Sequence, residues 1–451
     1  MSFAPLTPIA SLLTDLAAGR TSAEALLDTA LARAADPAGE GSRAFVRMMD
    51  DTARAEAEAS DRLRRAGVPA RPLEGLPISV KDLLDVQGQV TMAGSRVLAD
   101  EPPAAADAPV VARLRAAGAV LVGRTNMTEF AYSGIGLNPH YGTPANPWDR
   151  ETRRIPGGSS SGAAVSVTDG MATVGIGSDT GGSVRIPSGL CGLAGFKPTQ
   201  RRVPIDGAFP LSTSLDSLGP LAPTVACAAR VHQVMAGEPV RPIARRPVAG
   251  LRLAVPQSVV LEDLDGTTAR AFEVALSKLS AAGAVVTEVP FRELLEIGEA
   301  NAKGGFAAVE CYAAHGRHVV RAPDLFDPRV LVRIHRANEQ SAVDYISLIR
   351  RRAEIQAACN AVSAPFDAVV MPTTARVAPP IAELEASNEV FAKTNALMLR
   401  NCSVGNFLDR CAATVPVHEP GSAPVGLMLM GETMADDDLL SVAAAVEGLF
   451  R

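Results

Sequence analysis

Residues 157–195, GGSSSGAAVSVTDGMATVGIGSDTGGSVRIPSGLCGLAG, hold eleven of the chain's 38 glycines and seven serines. Glycine at that density lets backbone approach backbone or ligand closely, and it allows turns of positive φ that other residues resist. Two turns stand out, Gly157-Gly158-Ser159-Ser160-Ser161-Gly162 and Asp179-Thr180-Gly181-Gly182-Ser183. Between them the pattern predicts a short small-residue helix over 163–168 and an apolar strand over 171–176; residues 183–187 open a second helix. Each turn presents a serine and a row of backbone N–H groups near a helix start, where negative charge is favoured. Sites that stabilise an oxyanion are built this way.

Several readings of glycine-rich chemistry fail on the letters. A phosphate loop needs Gly-Lys-Ser/Thr, which occurs nowhere in the chain. A dinucleotide fingerprint fails because Thr180 stands where the third glycine belongs after Gly175 and Gly177. Asp179-Thr180-Gly181 suits an aspartic peptidase, but the second such tripeptide needed for a carboxylate pair is absent. Glycine and serine alone would leave a packing loop as the better reading, so function rests on a longer match.

That match exists. The Gly-Gly-Ser-Ser-Ser-Gly turn, the Asp179-x-Gly-Gly-Ser-Val-Arg-x-Pro-Ser turn, the 24-residue step from Ser159 to Ser183, and Leu76-Pro77-Ile78-Ser79-Val80-Lys81-Asp82 upstream resemble the amidase signature family. These are serine hydrolases that cleave amide bonds with a Ser-Ser-Lys triad. Thr168 departs mildly from the small residue the family carries late in the first turn's helix. The resemblance covers most of residues 20–220 and, more diffusely, the C-terminal part, where 406–411 (NFLDRC) is more similar to hydrolytic members than to tRNA-linked transamidases.

Composition agrees with an enzyme of this kind. A net charge of −6 without a long cationic run argues against nucleic acid or an anionic membrane as partner. Residues 1–20 lack a basic leader before an apolar core, and no apolar run is long enough for a bilayer, so a cytoplasmic protein is expected. Six scattered cysteines without Cys-x-x-Cys spacing read as reduced thiols, not a disulfide or zinc framework.

In chain order, apolar spacing predicts helices at 9–16 and 23–31, a strand at 45–48 and a charged helix over 51–66. A short strand at 78–80 delivers Lys81. Lysine is ordinarily a solvated surface residue, but the apolar lead-in to Lys81 favours burial. A helix and a strand follow within 107–123, then a loop through Met127, Tyr132 and Ile135. Residues 225–235 form a helix, and the basic, proline-rich 239–247 connects two lobes, 1–238 and 248–451, of one domain. Beyond it the pattern predicts strands at 251–256, 284–289, 369–373 and 425–430, with long helices near 267–282, 293–320, 328–338, 342–361 and 436–449. Gly158-x-Ser160-x-Gly162 matches the serine-hydrolase elbow literally, with His418 downstream, yet its charged lead-in 149–154 makes a poor buried strand. His315 and His318, three apart, lack the carboxylate spacing of a metal site; surface or hydrogen-bonded structural roles are expected for all six histidines.

The resemblance implies an α/β fold, an α/β/α sandwich with a large mixed central β-sheet flanked by helices. It implies Ser183 as nucleophile, Ser159 as bridging proton carrier and Lys81 as general base, with a cis peptide before Ser159. The N–H groups of Thr180, Gly181, Gly182 and Ser183 would form the oxyanion hole. Gly158, Met127, Tyr132 and Ile135 would line the substrate pocket, and Asp82 would face away from Lys81. No cofactor or metal is implied. The expected substrate is a small amide, carbamate (urethane) or ester, the expected state a monomer or homodimer. The alternative is the amide-cleaving subunit of a tRNA-dependent amidotransferase.

Overall fold

A computed structural model describes residues 6–451. Eleven strands form one sheet: β1 (Phe45–Met48), β2 (Pro77–Lys81), β3 (Val120–Thr125), β4 (Val174–Asp179), β5 (Ala194–Lys197), β6 (Ser217–Ala222), β7 (Arg252–Pro256), β8 (Val285–Val289), β9 (Ala368–Pro372), β10 (Ala412–Pro416) and β11 (Gly426–Met430). Their order is β1-β3-β2-β4-β6-β5-β10-β11-β9-β7-β8, so strands from both sides of the 239–247 connection share the sheet. The sheet is mixed: β2 runs parallel to β3 and β4, and β7 to β8 and β9, while the other pairings are antiparallel.

Side chains alternate across a strand, and here the alternation feeds two cores. Leu253, Val255, Val370, Leu427 and Leu429 join one apolar cluster with the helices Pro109–Ala116, Val225–Ala236 and Asp436–Glu447. Ala254, Val369, Met371, Met428 and Met430 join another with the helices Ala342–Ser363 and Asn388–Phe407. Helices therefore cover both faces, as an α/β/α sandwich requires.

Glycines in β4 let the first turn's helix, Ser161–Thr168, lie directly on the sheet. A Cβ on Gly175 would stand 2.8 Å from the Ala163 carbonyl oxygen, and one on Gly177 2.6 Å from Ser160 Oγ. Backbone cannot yield as a flexible side chain can. Gly175→Ala is therefore expected to lower stability by about 1–3 kcal/mol, read as a fall in denaturant midpoint.

Two expectations need correction. The strand predicted over 171–176 runs instead from Val174 to Asp179, because Met171 and Ala172 still belong to the turn and Thr173 precedes the strand. The helix predicted over 293–320 is broken into Leu295–Ala300 and Gly305–Arg321, with Gly304 and Gly305 at φ +100° and +62° between them. Residues 388–407 form a 20-residue helix that the apolar spacing does not announce.

Candidate active site

Topology brings the predicted residues together. Parallel pairing of β2 with β4 (Ile78 opposite Val174, Val80 opposite Ile176) puts the carboxyl ends of both strands side by side. Lys81 ends one and Asp179 the other. The turn before Ser161–Thr168 lies over this edge, with the Gly158–Ser159 peptide cis, as the resemblance implies. The Ser159 carbonyl accepts from the Thr128 N–H (3.1 Å), and the Gly158 N–H donates to Gly134 O (2.8 Å).

Lys81 is fully buried, its Nζ 2.7 Å from Ser159 Oγ and 2.8 Å from Ser178 Oγ. Burial pushes its pKa down to about 7, against the opposing pull of the Asp179 and Asp216 carboxylates. Asp82 does face away: its carboxylate pairs with the buried Arg124 guanidinium at 2.7 Å. Burial raises the Asp82 carboxyl to about 6 even against Arg124.

The second turn is held by carboxylates. Asp179 accepts from the N–H groups of Gly182 (2.8 Å), Val184 (3.2 Å) and Arg185 (3.3 Å), and its two oxygens take Nε and an Nη of Arg185 at 3.0 and 2.9 Å. Asn406 Nδ2 donates to the same carboxylate, and Asn406 Oδ1 accepts from Arg185. Burial would raise the Asp179 carboxyl, yet the Arg185 guanidinium overcomes it and holds the group well below the usual carboxylate range. Removing one partner of such a pair leaves an uncompensated buried charge. Asp179→Ala is expected to cost about 3–5 kcal/mol, measured as lost unfolding free energy, and to loosen the Ser183 turn with it. Thr180 is tied separately, its hydroxyl donating to Asp216 at 2.5 Å, while Asp216 also accepts from the N–H groups of Leu211 and Ser212.

This wiring corrects the expected oxyanion set. The Gly182 N–H already serves Asp179, so it does not face a substrate. Gly182 supplies conformation instead: its φ is +122°, and a Cβ there would meet Cys402 Cβ at 2.4 Å. The N–H groups of Thr180, Gly181 and Ser183 donate to no acceptor among the described residues.

Ser183, Thr180 and Gly181 open onto a cavity of about 330 Å³. Its far walls come from the segment running through the helix Leu295–Ala300 to the break (Leu294, Ile297, Asn301, Gly304) and from the helix Asn388–Phe407 (Leu399, Arg400, Ser403, Asn406). Tyr132 lines it, presented after two residues in the left-handed region, Phe130 (φ +53°) and Ala131 (φ +59°). Met127 and Ile135 do not: each is fully buried, Met127 in one core cluster and Ile135 in the other. Gly158 also lies off the cavity wall, packed against Gly136. A larger cleft of about 830 Å³ under the N-terminal helices is lined by the pairs Arg150–Asp169 and Arg43–Glu40 and holds none of Lys81, Ser159 or Ser183.

Sequence reasoning missed Ser178, Asp216, Arg333 and the C-terminal cavity wall. Ser178 was within reach, since extending the β4 strand by two residues sets it beside the end of β2. His315 bonds Pro210 O (2.6 Å) and stacks on Phe209, and no group of three metal-binding side chains occurs among the described residues. All six cysteines are free and buried. No described helix is long and apolar enough to cross a membrane.

The family model Amidase matches residues 25–440. The chain belongs to the amidase family. It is similar to 2-amino-5-chloromuconic acid deaminase of Comamonas testosteroni, with 39% identity covering 88% of this chain and 86% of that protein. It is also similar to 1-carboxybiuret hydrolase subunit AtzE of Pseudomonas sp. (strain ADP), at 35% identity over 92% of each. The native peptide amidase of Stenotrophomonas maltophilia superposes with a TM-score of 0.82 at 28% identity, over 99% of this chain and 97% of that one. This amidase acts as a hydrolase on amide C–N bonds, and its large mixed sheet between helices is the architecture of these relatives.

Proposed function

We propose that this amidase cleaves a small linear amide or carbamate through a Lys81–Ser159–Ser183 relay and an acyl-enzyme on Ser183. The 2.7 Å approach of Lys81 Nζ to Ser159 Oγ, in a site that disfavours the ammonium form, carries the reading. Neutral Lys81 takes the Ser159 proton as Ser159 takes that of Ser183. Ser183 Oγ then adds to the carbonyl carbon, and the N–H groups of Thr180, Gly181 and Ser183 receive the oxyanion. Collapse expels the amine, which takes the proton back through Ser159. Water then adds to the acyl-enzyme by the same relay and releases the acid. No hydrogen bond joins Ser183 Oγ to Ser159 among the described residues, and catalytic hydrogen bonds commonly tighten only with substrate in place. The small cavity and the small-molecule substrates named for both relatives support a substrate of that size.

Labelling with a fluorophosphonate, followed by peptide mapping, tests the assignment. The expected adduct sits on Ser183, forms in the wild type, and slows strongly in Lys81→Ala. An adduct on another serine, or none under conditions where amides turn over, would remove Ser183 from the mechanism.

A further inference from the structure

Residues 211–216 belong both to the cavity and to the nucleophile's turn. Leu211 and Leu215 line the cavity beside Ser183. Asp216 takes the Thr180 hydroxyl on one oxygen at 2.5 Å, and the N–H groups of Leu211 and Ser212 on the other at 3.0 Å each. The Thr180 side chain is thus tied to this loop. What ties the loop in turn comes from across the cavity. Asn301 and Gly304 form the far wall, Ala307 lines it on the helix Gly305–Arg321, and Glu310 follows one turn later. Glu310 Oε2 accepts from Ser212 Oγ (2.6 Å) and from the Ser214 N–H (3.0 Å). Its Oε1 accepts from Ser214 Oγ (2.5 Å) and from Tyr345 Oη (2.6 Å) on the helix Ala342–Ser363. Arg352 of that helix secures the same loop residue through its carbonyl, donating to Ser214 O at 3.0 Å. A glutamate on a helix is ordinarily solvated. The Glu310 oxygens are instead taken by three hydroxyls and an N–H, directional donors that fix a geometry.

From this chain of bonds we infer that Glu310 is a positioning residue for the oxyanion site: it fixes Ser212 and Ser214, these fix Asp216, and Asp216 fixes Thr180. The inference rests on the proposed amidase reading, which gives the Thr180 N–H its duty toward the developing charge. An oxyanion forms only as the tetrahedral intermediate is approached. A displaced donor therefore costs little in binding and most in the chemical step.

The test follows the labelling of Ser183 by a fluorophosphonate, whose phosphoryl oxygen takes the place of the oxyanion. It separates the maximal rate kinact from the half-saturating concentration KI. Glu310→Ala is expected to lower kinact by about 10- to 100-fold with KI changed less than about threefold. Glu310→Gln should recover part of the loss, since an amide oxygen still accepts from the Ser214 N–H, and it takes the alanine variant's place if that one does not fold. A double-mutant cycle with Thr180→Val cuts the link to Asp216 while leaving the backbone N–H, and so reads whether the effect travels through Thr180. The double variant should lose no more than the larger of the two single losses. Losses that multiply, an unchanged kinact in Glu310→Ala, or a change confined to KI would reduce Glu310 to a structural bond and overturn the inference. Those outcomes leave the amidase reading standing, whereas a wild-type adduct on a serine other than Ser183 strikes that reading and the role of Glu310 with it.

Discussion

Ser183→Ala is expected to lose at least about 10⁴-fold in amide turnover while unfolding at the wild-type midpoint. The side chain is 2% exposed, and its hydroxyl makes no hydrogen bond among the described residues. Removing it therefore strands no buried partner, unlike the loss of Asp179. What disappears is the hydroxyl that the proposed mechanism aims at a carbonyl held by the Thr180, Gly181 and Ser183 N–H groups. Ser160 and Ser161 serve as controls on register. Their hydroxyls make long bonds to backbone, Ser160 to Ser178 O and Ser161 to Asn126 O, both at 3.4 Å, so their alanine variants should lose little. The readouts are steady-state turnover and denaturant unfolding on the same preparations. Near-normal turnover in Ser183→Ala with a large loss in Ser161→Ala would mean that the nucleophile lies on the other turn.

Much of the sheet was legible because its outer strands carry the letters that strands favour. Phe45–Met48, Arg252–Pro256 and Val285–Val289 are rich in branched and aromatic residues, and their positions follow from that. Three interior strands were not legible. β5, β6 and β10 read AGFK, SLGPLA and AATVP, sequences of small residues, glycine and proline with weak strand preference. They are strands because neighbours on both sides complete their hydrogen bonds and both faces are buried, a tertiary cause that no local window contains. The site divides in the same way. Lys81, Ser159 and Ser183 lie in a motif long enough to be read in the chain. The far cavity wall comes from residues 294–304, 333 and 399–407, a mixture of apolar, amide, hydroxyl and arginine side chains remote in sequence from the motif. Met127 and Ile135 show the limit most directly. An apolar residue in a loop near the site reads the same whether it faces a substrate or the core, and here both face the core.

The carboxylates around the site carry different duties. Asp179 is held ionised by Arg185 and acts as the hub of the second turn, so its charge is structural. Asp216 is pushed up to about 6 by burial, against the hydrogen bonds it accepts from Thr180, Ser212 and Leu211. Both carboxylates pull the Lys81 pKa upward, and burial outweighs them. A substantial share of the lysine is thereby in the amine form near pH 7, where a free lysine at about 10.4 would be almost wholly protonated.

Lys81→Ala tests that balance. In wild type the amine form is the base, so kcat/KM should rise tenfold per pH unit below about 7 and level off above it. Asp216 and Asp82, both near 6, also titrate on the acid side, so a limb alone does not identify its owner. The variant does: Lys81→Ala should lose the limb together with about 10²–10⁴-fold or more of the activity. Amides should suffer more than activated esters, because an amine leaves only with a returned proton and a good alkoxide leaving group does not need one. Stability gives an independent readout. The folded-state pKa of about 7 lies below the unfolded value of 10.5, so between those pH values the unfolded chain binds a proton that the folded chain has released. Unfolding free energy from this group therefore rises with pH across that window, and Lys81→Met should flatten the rise and be most stabilising at its acid end. A pH–rate limb that survives in Lys81→Ala, with equal losses on ester and amide, would assign the limb to a carboxylate and take Lys81 out of the relay.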